Sequence, residues 1–112
     1  MSMPSPIPPE LAELIAERFR VIGDPSRIRI LDQLRCGELS VNEITARLDT
    51  SQQNVSKHLG VLHRAGIVAR RKQGTSSLYV IADETIYDLC EQVCGGLQER
   101  FAELTATVGA AS

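Results

Sequence analysis

Between Glu10 and Ile22 the apolar residues Leu11, Leu14, Ile15, Phe19 and Ile22 recur at the spacing of one helix face. This stretch predicts a first helix, closed by Gly23. Asp24 before Pro25 then marks a second start, because Asp caps free amides and proline fits the first helical position, where no N–H is needed. Ile28, Leu31 and Leu34 form its expected inward face, and Gly37 stops it. In "SVNEITARLDT" the pair Ser40-x-x-Glu43 has the spacing of a capping box, with Val41, Ile44 and Leu48 turned inward. A tight break at Asp49 and Thr50 separates this short helix from the next. Ser51 caps that next helix, whose expected buried positions are Val55, Leu59 and Leu62, with Val61 beside them.

After Arg64-Ala65-Gly66 the pattern changes from helical to extended. Residues 67–72 read as a basic strand, Gln73-Gly74-Thr75 as a turn, and residues 77–81 as a returning strand. A last helix is expected from Asp83 to about Ala106, with Ile86, Leu89, Cys90, Val93, Leu97, Phe101 and Leu104 on one side. Gly95 and Gly96 fall inside it and weaken it locally. The prediction is a mainly α chain with a small β-hairpin, in the order α-α-α-α-β-β-α. Two short helices across a tight turn, followed by a basic hairpin, form the plan of a winged helix-turn-helix. Residues 1–9 read as a flexible proline-rich arm, residues 10–106 as one DNA-binding and dimerisation domain, and residues 107–112 as a flexible tail.

Charge sharpens this picture. The 112 residues carry a net charge of −2, yet five of the 12 Lys and Arg, and none of the 14 Asp and Glu, lie between Thr50 and Ala82. A polyanion meets that local field rather than the average. In this plan the second helix of the pair enters the major groove and the hairpin lies along the backbone. The side-chain amides of Gln52, Gln53 and Asn54 both donate and accept, as the edge of adenine requires. Ser51, Ser56, Lys57 and His58 supply further donors, while Arg70, Arg71, Lys72, Thr75 and Ser76 on the hairpin are expected to hold phosphates. The bland alternative is a solvated helix face, against which stand the acid-free stretch and the order of the elements.

Other classes fit less well. No apolar stretch reaches the ~18 residues of a membrane span, and "MSMPSPIPPE" lacks the basic and apolar parts of a secretory signal, so a cytoplasmic protein is expected. Both histidines, His58 and His63, lie on the proposed recognition helix without a carboxylate or thiol at a spacing suited to a catalytic pair, so an enzyme is not expected. A winged helix serving only as a protein-interaction module is the stronger rival.

From about Phe19 to Ile81 the chain resembles the ArsR/SmtB family of bacterial transcriptional repressors. The resemblance rests on "GDPSRIRILDQL", close to that family's L-x-D-x-x-R-x-x-I-L-x-x-L, and on "SQQNVSKHLGVLHRAGIV", close to S-Q-x-x-V-S-x-H-L-x-x-L-x-x-A-G-[LI]-V. It implies a homodimer built from the first and last helices, an inverted-repeat operator in double-stranded DNA, and release by an inducer. Dimer contacts are then expected from Leu11, Leu14, Ile15, Ile86, Leu89, Val93, Leu97 and Phe101. The family's two best-known metal sites are missing: Ser40 and Asn42 stand where the third-helix thiolates would be, and no histidine follows His63.

What remains for sensing is Cys36, Cys90 and Cys94. Cys90 and Cys94 lie four apart, so both sulfurs face one side of a helix, where a soft metal or metalloid ion, arsenite, antimonite, sulfide or an oxidant could act. Thiols are also among the most buried side chains, and Cys90 falls on the apolar stripe, where it would simply be core. No cofactor is otherwise implied.

Overall fold

The computed structural model describes residues 3–111, with side chains through Thr105. Its elements run α1 (Pro9–Ile22), α2 (Pro25–Leu34), β1 (Leu39–Ser40), α3 (Val41–Leu48), α4 (Gln52–Arg64), β2 (Val68–Gln73), β3 (Ser76–Ile81) and α5 (Glu84–Ala111). Residues through Ala82 form one compact unit, and residues from Asp83 onward form another. The fold is the expected winged helix-turn-helix, and the expectation of a two-stranded hairpin becomes a three-stranded antiparallel sheet in the order β1-β3-β2. β1 pairs Leu39 with Tyr79 and Ser40 with Leu78. Two residues carry too little alternation to be read as a strand.

Local chemistry sets the helix ends. The carboxylate of Asp24 accepts from the backbone N–H groups of Ser26 and Arg27, at 2.8 and 3.3 Å, and caps α2. At α3 the capping box is complete: Glu43 N–H donates to Ser40 Oγ at 3.2 Å, and Ser40 N–H donates to Glu43 Oε1 at 3.0 Å. Asp49 closes α3 with φ 51, a left-handed conformation that short polar side chains tolerate, and so turns the chain toward α4. The hairpin loop is Gly74-Thr75 between the paired residues Gln73 and Ser76. Gly74 takes φ 63 there, which a residue without Cβ adopts freely.

The core of the first unit lies between α2, α3, α4 and the base of the sheet. Ile30 and Leu34, Ile44, Val55, Leu59 and Leu62, and Ile67 and Val68 are its most enclosed side chains. Each such aliphatic group is worth roughly 1.5–3 kcal/mol relative to exposure. One expectation needs correction. Ile28 is 46% exposed, because the inward stripe of α2 runs through positions 27, 30, 31 and 34; Arg27 occupies the place periodicity assigned to Ile28. Leu14 and Phe19 of α1 are exposed, while that helix buries Val21 and Ile22 at its C-terminal end.

In the second unit α5 is continuous through Gly95 and Gly96 and extends to Ala111, past the end expected near Ala106. Ile86 is buried, whereas Val93, Leu97, Phe101 and Leu104 are exposed. Among the described residues no helix is long and apolar enough to cross a membrane. Of the proline-rich arm, Met1 and Ser2 lie outside the described residues.

Candidate nucleic-acid interface

Helix α4 presents two unlike faces. Val55, Leu59 and Leu62 are 0% exposed and fix the helix in the core. Gln52, Gln53, Ser56 and Lys57 are exposed on the outer side. Ser51 accepts the N–H of Asn54 at 3.0 Å, so its oxygen caps the helix while its hydroxyl proton stays available. Asn54 is half-buried and donates from Nδ2 to Thr50 Oγ1 at 3.1 Å, which orients its carbonyl oxygen and ties the helix start to the preceding turn. Because α4 contains no acidic residue, nothing on its surface opposes an anion.

His58 does not belong to this outer face. At 6% exposure it lies on the inward stripe with Val55, Leu59 and Leu62, three residues after the first and four before the last. Its Nδ1 lies 3.2 Å from Nη1 of Arg27. A guanidinium only donates, so Nδ1 is the accepting nitrogen. Arg27 also donates from Nε to the Val21 carbonyl and from Nη2 to the Arg20 carbonyl. The end of α1, the first turn of α2 and the middle of α4 are thus joined through one side chain. Asp24 adds its charge here: although burial works to raise its pKa, the Arg27 and Ser26 amides and the charge of Arg27 hold it below its ordinary value. Arg18 makes a second anchor, its Nη1 donating to the Ala65 carbonyl at the end of α4. Periodicity missed Arg27 as an anchor, although it is a fixed letter of the first motif.

The wing divides its cations between two faces. In the β2–β3 register Arg70 lies opposite the buried Tyr79 and Lys72 opposite Ser77, while Arg71, opposite Leu78, faces the other way. All three are exposed, as are Thr75 and Ser76 at the tip. Arg71 is engaged within the chain: its Nε and Nη2 each donate to a different oxygen of Glu38, both at 2.9 Å. Each partner shows it, Glu38 held below the usual carboxylate range by this bond and Arg71 raised by it. Glu38, 33 residues distant in sequence, carried no signal of this pairing.

The three thiols differ. Cys36 is exposed after α2, Cys94 is exposed on α5, and Cys90 is half-buried, with burial pushing its thiol up from the ordinary value. Among the described residues no group of three or more His, Cys, Asp or Glu is placed to hold a metal ion.

Comparison with known proteins agrees with this geometry. A family profile described as a helix-turn-helix domain matches residues 22–71. An uncharacterized HTH-type transcriptional regulator of Methanocaldococcus jannaschii is 39% identical over 85 residues, spanning 75% of this chain and 96% of the relative. A transcriptional repressor SmtB homolog of Synechocystis is 34% identical across 79% of this chain and 67% of its own length. The solution structure of a homodimeric winged helix-turn-helix DNA-binding domain from Mycobacterium bovis, an ArsR-family candidate, superposes with a TM-score of 0.74 at 28% identity, covering 84% of this chain and 87% of that one. These relatives are transcriptional regulators, not enzymes. With the two motifs, the two-faced α4 and the basic wing in place, the chain belongs to the ArsR/SmtB family of winged helix-turn-helix transcriptional repressors.

Proposed function

We propose that the protein is a cytoplasmic, homodimeric repressor that binds an inverted-repeat operator, with α4 in the major groove and the β2–β3 wing along the backbone. The observation that carries this is the division of α4 into a fully buried apolar stripe and an outer face of Gln52, Gln53, Ser56 and Lys57 without any carboxylate. Asn54 and Ser51 complete the groove-facing set, and Arg70, Lys72, Thr75 and Ser76 make the phosphate contacts. His58 positions the helix and touches no base. Dimerisation is supported by apolar surface left uncovered on α1 and α5, where Leu14 is 68% and Phe101 72% exposed. A two-fold dimer sets its recognition helices about 34 Å apart, one turn of DNA.

Release is assigned to α5, where Cys90 and Cys94 lie one turn apart and are the thiols a soft metalloid, sulfide or an oxidant would meet. Such a signal and the operator must weaken each other's binding reciprocally.

The test is DNA selected from the source genome, titrated by fluorescence anisotropy against salt. Phosphate contacts give a log–log slope of about −0.9 for each phosphate neutralised, and a flat response sinks the proposal. Gln53→Ala should erode discrimination between the selected site and a scrambled one, whereas Arg70→Ala should weaken both alike. For the sensor, operator release by arsenite and by polysulfide is compared in wild type and Cys94→Ser. Release that is identical in the two proteins removes Cys94 from the mechanism.

A further inference from the structure

We infer that Ser26 and Arg29 of α2, together with Thr50 of the turn before α4, form a binding site for one backbone phosphate of the operator, outside the recognition helix and the wing. The inference rests on the operator-binding reading above. These three residues and Asn54 line one cleft together with the buried Ile30, Leu48 and Val55. The cleft therefore opens beside the first turn of the helix that meets the bases.

Its chemistry is one-sided. Arg29 is exposed, and among the described residues it has no carboxylate partner. Other arginines do have one: Arg20 pairs with Glu17, Arg35 with Asp32 and Arg71 with Glu38. The Thr50 oxygen already accepts the Asn54 amide, which leaves its hydroxyl proton to point elsewhere. Ser26 uses its backbone N–H on Asp24, and its hydroxyl remains a further donor. Asp24 is occupied in capping α2, and neither it nor Asp32 nor Asp49, the acids near these residues in sequence, lines the cleft. A guanidinium and two hydroxyls lining one cleft without a carboxylate suit a phosphodiester oxygen, and they carry no pattern that distinguishes one base from another.

When α4 lies in the major groove, the strand bordering that groove must pass its N-terminal end, which is where this cleft opens. Arg29 then anchors register, and Thr50 couples that anchor through Asn54 to the helix that reads sequence.

The experiment uses the full chain, with wild type, Arg29→Ala and Arg29→Lys on the selected operator and on a scrambled site. For Arg29→Ala the salt slope should become shallower by about 0.9 per half-site, or about 1.8 for a dimer. Affinity should fall on both sequences, leaving their ratio unchanged, and Arg29→Lys should restore the slope. Thermal melting checks that the exposed substitution leaves the fold intact. An unchanged slope with Arg29→Ala overturns the inference, as does a selective loss on the operator alone, which would make Arg29 a base reader. A flat slope in wild type overturns the operator-binding proposal instead, so the two failures are distinct.

Discussion

Glu38→Gln tests whether the wing's charge is held in reserve. In the folded chain Arg71 donates twice to the Glu38 carboxylate, and this is an exposed pair, with side-chain exposures of 55% and 36%. Exposed ion pairs contribute little to stability because water and salt screen them. Removing the carboxylate should therefore leave the melting temperature nearly unchanged, while it frees one guanidinium and removes one negative charge from the β1 side of the sheet. If a DNA strand passes that face, the freed Arg71 gains a phosphate, and the log–log salt slope steepens by about 0.9 per half-site. For a dimer that is about 1.8, so a fourfold change in salt alters affinity by about 12-fold more in the variant than in wild type. Anisotropy titrations at four or more salt concentrations measure it. An unchanged slope with unchanged affinity would refute the reasoning and place Arg71 off the path of the DNA. A shallower slope would refute it differently, showing that Glu38 holds Arg71 in the geometry that binds.

Leu59→Ala removes a side chain with no exposure from the centre of α4 and should cost about 2–5 kcal/mol in urea unfolding; a loss below about 1 kcal/mol would mean that the recognition helix is not held by the core. Glu43 lies below its ordinary value of 4.5, chiefly because the Ser40 N–H donates to it. Its contribution is therefore complete above that value and lost as pH falls through the lower folded one, so Glu43→Gln should differ from wild type at about pH 6 and approach it as the pH is lowered through the folded value. A gap in urea midpoint that stays constant across that range rules this out. Cys36, exposed, should react with iodoacetamide before Cys90, whose burial disfavours the thiolate; mass-mapped labelling at neutral pH decides, and faster labelling of Cys90 contradicts it.

Much of the fold was legible because several local signals agreed. Asp24-Pro25, Ser40-x-x-Glu43 and Ser51 each start a helix where the structure starts one. The change from helical to alternating pattern after Gly66 located the wing. What escaped was long-range. β1 exists only because Leu39 and Ser40 lie beside β3, and Glu38 meets Arg71 only because that sheet forms. The exposed apolar residues of α1 and α5 carry the same periodicity as a buried stripe, so periodicity alone does not separate the two.

His58 shows why chemistry alone misassigned one residue of the candidate site. A histidine in a polar run suggests a donor for bases, but its position three after Val55 and one before Leu59 puts it on the inward stripe. The second motif already contained that answer, since of its letters Val55, His58, Leu59, Leu62, Ile67 and Val68 are all buried. Those letters specify how α4 is held, and the open positions between them, Gln53 and Asn54, fall at the start of the helix, where a reading surface would vary. Arg27 completes the separation, because it bonds His58 on one side and the carbonyls that end α1 on the other. A change at Gln53 can therefore alter what is read without moving the helix, whereas Arg27→Ala should disturb the helix position on every operator alike.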